Sequence, residues 1–70
     1  MVETTYVLFV PKAKRARVRT GLAAEPNEVL KWRERRTLFG SEFYFSGPAA
    51  VARQTHACAS RWVAEPLGFS

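Results

Sequence analysis

The sequence predicts a small α+β domain in which two helices pack on a three-stranded sheet, in the order β-β-α-β-α. Three observations carry that expectation. A run dense in β-branched and aromatic residues, Thr4 to Val10, is stopped by Pro11. Arginines alternate with Ala16, Val18 and Thr20 from Arg15 onward. A stripe of apolar residues recurs at helical spacing between Val51 and Trp62.

The first run, TTYVLFV, has the composition of a buried strand, and the proline after it cannot donate to a ladder, so the strand ends there. Arg15, Arg17 and Arg19 then read as a second strand with one face entirely guanidinium, the groups about 6.6 Å apart. Gly21 closes that strand. Glu25-Pro26 has the form of a helix start, because proline's fixed φ suits the first helical turn and Glu28 complements the dipole. This helix runs to about Arg36 and buries only the narrow stripe of Val29, Leu30 and Trp32. Glu42 to Ser46 is the third strand, with a further hairpin from Thr37 to Phe39 through a Gly40-Ser41 turn left open. Ser46-Gly47-Pro48 supplies an N-cap candidate and an early proline for the last helix, which runs to about Glu65 before Pro66 and Gly68 stop it. Its stripe is Val51, Thr55, Cys58 and Trp62, with Ala52, Ala59 and Val63 beside it.

A chain of 70 residues buries only about 60% of its unfolded surface, so residues 1–70 are expected to form one domain. Apolar residues make up 47% and aromatics 13%, enough for a packed core rather than a disordered basic tail. The lone Cys58 excludes an intrachain disulfide, and the start of the sequence has no apolar run long enough for a signal h-region or a membrane span. Both point to a reducing cytoplasm.

The net charge of +5 is lopsided: the first 40 residues hold nine Lys/Arg against four Glu, and the last 30 balance two Arg against two Glu. A positive face of this kind projects its field about 8 Å into physiological salt and predicts an acidic or polyanionic partner.

Site chemistry is sparse beside that charge. The chain has one His, one Cys and no Asp, so no metal cluster is expected. His56 and Cys58, two apart on a helix, point about 160° away from each other and can share neither an ion nor a proton. Cys58 therefore reads as a small core residue and His56 as a flanking surface one. The glutamates read as ion-paired surface groups, and no GxxxxGK[ST] or GxGxxG loop occurs. Neither catalysis nor a cofactor is expected.

The β-β-α-β-α order, Tyr6 in Thr4-Thr5-Tyr6, and the glycine of Arg19-Thr20-Gly21 just before a helix together resemble the core of GIY-YIG nuclease domains over about residues 4 to 62. Only Tyr6 and Gly21 match outright. Where the resemblance implies a catalytic arginine the chain has Glu28, with Arg33 the nearest substitute; where it implies a metal-binding glutamate the chain has Gln54. It therefore implies an inactive scaffold that binds DNA or RNA, since a neutral amide does not replace a carboxylate at a divalent cation. In size and composition the chain also looks like small phage-encoded regulators that bind bacterial RNA polymerase and inhibit or antiterminate transcription.

The expected partner surface is Arg15, Arg17 and Arg19 on the second strand, with Arg33 and Arg36 on the helix and Trp32 as an aromatic anchor. Three readings of the arginine strand stand open: an edge strand kept from aggregation by its charge, a direct nucleic-acid contact, or a dock for a nucleic-acid-handling protein such as RNA polymerase. The chain is expected to be a monomer when free and to have no membrane partner.

Overall fold

The computed structural model describes residues 3–24 and 27–66. The elements are β1 (Glu3–Pro11), a 3₁₀ turn over Lys12–Lys14, α1 (Arg15–Ala24), β2 (Lys31–Arg36), β3 (Gly40–Pro48) and α2 (Ala49–Ala64). The sheet has the order β1-β3-β2, with β3 antiparallel to both neighbours. β1 and β2 therefore run parallel to each other with β3 between them, and α1 is the crossover that joins them: a split β-α-β unit.

The α+β class, the three-stranded sheet, the two helices and the outer elements stand as the sequence predicts. The middle of the chain is where it differs, because residues 15–20 are helical and residues 31–36 are a strand. Val18, Gly21 and Leu22 are the buried residues of α1, and they fall at i, i+3 and i+4, the spacing of one helical face. Arg and Ala make up most of the rest of this segment and are strong helix formers, so the period-two arginines coincide with a helix rather than marking a strand. KWRERR has helical composition too, yet its pairing with β3 wins: Trp32 stacks on Phe43 at 5.7 Å, and Glu34 faces α1. Tertiary contacts here override a weak local preference.

The hairpin between β2 and β3 forms, but its turn is Thr37–Phe39, closed by Thr37 N–H donating to the Gly40 carbonyl at 2.8 Å, and Gly40-Ser41 begins the strand. A Cβ on Gly40 would meet the Val10 carbonyl and the Phe9 ring, so the β1–β3 approach requires glycine there. Asn27 makes an Asx turn, its Oδ1 accepting from Val29 N–H at 3.0 Å, and leads the chain into β2. The predicted helix start at Glu25-Pro26 and the stop at Gly68 lie outside the described residues. Helix α2 begins at Ala49 with Pro48 as its N-cap and no side-chain cap; Ser46 lies in β3 and bonds Thr5 Oγ1 at 2.9 Å.

Both helices cover one face of the sheet. Val10, Val18, Leu22, Phe43, Phe45 and Ala59 form the core, with Leu8, Leu30, Trp62 and Val63 packed around it. In α2 the fully buried positions are Ala52 and Ala59, seven apart, and their small side chains let the helix sit close to the strands. The predicted stripe of Val51, Thr55, Cys58 and Trp62 is only half-buried and lines a cleft of about 490 Å³ between the helices, together with Gly21 and Leu30. His56 is not a plain surface residue: its ring lies 5.6 Å from Tyr6 and edge-on to Phe45 at 6.5 Å.

Candidate functional site

The arginines expected to form one row diverge once residues 15–24 coil. Arg15 and Arg19 are four apart and share a face directed at the end of the β2–β3 hairpin, whereas Arg17 lies on another side. Arg15 donates from Nε to Ser41 Oγ and from Nη2 to the Gly40 carbonyl, both at 2.7 Å. Arg19 donates from Nε and Nη2 to the two oxygens of Glu34, at 2.8 and 2.7 Å. Fully buried Ser41 donates to Glu34 Oε2 at 2.7 Å, which joins both arginines to one carboxylate. These hydrogen bonds, Arg19's first, hold the Glu34 carboxyl down at about 2, against an ordinary 4.5. The same pair raises the Arg19 pKa.

Arg17 bonds Glu65 at the end of α2, with Nε 2.9 Å from Oε1, and its guanidinium lies 5.0 Å from the centre of the Trp62 ring. That hydrogen bond lowers the Glu65 pKa. Lys14 Nζ also reaches this helix end, at the Glu65 carbonyl. The three guanidinium groups of the predicted row thus fasten α1 to the hairpin and to α2. Their first partners lie within the fold.

Trp32 and Arg36 occupy the helix-covered side of β2, in line with Glu34: Trp32 stands opposite Phe45, and Arg36 opposite Ser41. Trp32 is 38% exposed, at the cleft. Of the expected partner residues only Arg33 faces the other way. The six predicted residues form no single surface.

The face of the sheet away from the helices does form one. From β2 it takes Lys31, Arg33 and Arg35, opposite Ser46, Tyr44 and Glu42 of β3; from β1 it takes Thr5, Val7 and Phe9, opposite Ser46, Tyr44 and Glu42 again. The Arg33 guanidinium lies 5.9 Å from the centre of the Tyr44 ring. Tyr44 donates its hydroxyl proton to Glu42 Oε1 at 2.8 Å, which fixes the ring in the middle of the face. Arg35, 75% exposed, reaches Glu42 only at 3.8 Å. Val7 and Phe9 are 53% and 48% exposed along the far side.

Lys31 and Arg35 were absent from the predicted surface, although the signal for them is in the sequence. KWRERR alternates cations at period two, as Arg15 to Arg19 does. Alternation alone cannot say which of two such runs is the strand; the apolar spacing through Val18 and Leu22 can. Arg19-Thr20-Gly21, which carried half of the nuclease resemblance, lies inside α1, with Gly21 buried against Trp62.

Among the described residues no three of His, Cys, Asp and Glu gather where they could hold a metal ion, and no helix is long and apolar enough to cross a membrane. No known protein family matches the chain, and neither a curated protein nor a solved structure is similar to it.

Proposed function

We propose that this is a non-catalytic binding protein that holds single-stranded nucleic acid on the open face of its sheet. The observation that carries this reading is the row Lys31, Arg33 and Arg35 beside the centrally held Tyr44 ring. Alternate strand positions set the cations about 6.6 Å apart, a track for a phosphate backbone, while Tyr44 and Phe9 offer rings on which bases stack. Stacking on such rings contributes about 1–3 kcal/mol per base and tolerates any sequence. The test is fluorescence anisotropy with labelled single-stranded DNA and RNA across a salt series. Binding whose log K falls with log salt by about 0.7 per neutralised phosphate is expected; absence of binding at low salt, or a flat salt profile, overturns the reading.

A second reading, docking on bacterial RNA polymerase as a small regulator, is favoured by a separate observation. Leu38 and Phe39 at the tip of the β2–β3 turn are 77% and 75% exposed, separated from Arg35 and Arg36 by Thr37 alone. Exposed apolar anchors close in sequence to arginines suit a protein surface near a nucleic-acid path. Titration of purified polymerase with the wild type and with a Leu38→Ser, Phe39→Ser double variant distinguishes the two readings: loss in the variant supports docking, and no binding by either protein removes it.

A further inference from the structure

The two edges of the sheet are built differently. β2 carries five charged residues in six, the usual protection of an exposed edge. β1, the other edge, has no charge from Thr4 to Val10, and among the described residues it pairs only with β3. An uncharged edge of this length leaves a row of backbone donors and acceptors open to another strand. Its side chains are also incompletely covered: Tyr6 and Leu8 face the helices yet stay half-buried, and Val7 and Phe9 are about half exposed on the open face.

We propose that β1 pairs antiparallel with β1 of a second copy, so that two chains form one continuous six-stranded sheet. The occupant is argued from complementarity of the strand with itself. With Val7 opposite its own counterpart, Thr5 meets Phe9 and Tyr6 meets Leu8 of the other copy, and each half-covered core residue gains an apolar neighbour. The same register brings Glu3, the one charge on the strand, beside the other copy's Pro11 and Lys12, so the acidic end of each edge meets the basic end of its mate. Two-fold symmetry makes every such contact twice. Pro11, without an N–H, ends the ladder at that point. The two open faces then become one, with the Lys31–Arg35 rows about 24 Å apart, five interstrand spacings.

This pairing is independent of what the open face binds, and mass decides it. Light scattering behind size exclusion, from micromolar to millimolar protein, is expected to approach twice the chain mass of 7.9 kDa; a monomer mass throughout overturns the proposal. Val7→Lys places like charges opposite each other at the two-fold axis, and loss of the dimer is expected. An equimolar mixture of Val7→Lys and Val7→Glu restores it as a heterodimer, and a Val7→Lys protein that remains dimeric overturns the proposal. Hydrogen exchange on concentrated and diluted wild type locates the interface without any substitution. Protection gained at Thr4–Val10 on dimerisation supports the pairing, and protection gained elsewhere with β1 unchanged overturns it.

Discussion

Arg19 and Glu34, fifteen residues apart in the chain, meet in two parallel hydrogen bonds of 2.8 and 2.7 Å. Bidentate geometry makes this the strongest kind of polar contact a small domain can use, and Glu34 is mostly shielded, its side chain 13% exposed. With Ser41 and Arg15 the pair ties the crossover helix to the hairpin, on the side opposite the basic face. Glu34→Gln keeps the shape but removes the charge and one acceptor. A loss of about 1–3 kcal/mol is expected in urea denaturation, with the far-ultraviolet spectrum retained.

The same carboxylate sets an acid limit. Its folded pKa of about 2 lies below its ordinary 4.5, so the folded state binds the proton less readily than the unfolded one. The stabilisation is complete above about pH 4.5 and disappears as pH falls toward 2. The melting temperature of the wild type should drop over that interval, while that of Glu34→Gln should drop less. Glu65, also lowered, by Arg17, remains in both proteins, so the difference between the two curves isolates Glu34.

Gly21 lies beneath the indole of Trp62, where an added Cβ would stand 2.5 Å from the ring. Gly21→Ala is expected to cost about 1 kcal/mol by overpacking. In a Trp62→Leu background the same change should instead gain up to about 1 kcal/mol, the ordinary helix preference for alanine. A thermal double-mutant cycle reads this change of sign.

Substitutions at two arginines separate the basic face from the arginines of α1. Arg33→Ala should weaken single-stranded nucleic-acid binding and reduce the salt slope by about 0.7, one phosphate contact. Arg17→Ala, which removes the bond to Glu65 and the contact with Trp62, should leave the slope unchanged and lower the melting temperature. Anisotropy titrations and melts on both variants check the pair.

How the sequence relates to the fold is clearest at the two arginine-rich runs. The outer elements were legible because one signal dominates each: the TTYVLFV run ended by Pro11, and the long apolar stripe of α2. In the middle, local signals conflict. Arg15 to Arg19 alternates like a strand on a segment of helix formers, and KWRERR is composed like a helix but paired as a strand. For Arg15 to Arg19 the apolar spacing of Val18 and Leu22 resolves the conflict, whereas for KWRERR the partner decides: Trp32 stacks on Phe43 and stands opposite Phe45 of β3, and a partner across the sheet is not visible in a local window. The candidate site follows from that exchange: Arg33 is the one expected partner residue on the open face, and Lys31, Arg33 and Arg35 all fall in the run that reads locally as helix.

The alternation of β2 divides its labour residue by residue. Glu34 and Trp32 maintain the architecture, while Lys31, Arg33 and Arg35 project from the same backbone into solvent. Sequence drift at the three outward positions can therefore change the charge of the open face with little penalty to folding. A strand of six residues thus serves as a fixed hinge plate on one side and a rewritable surface on the other.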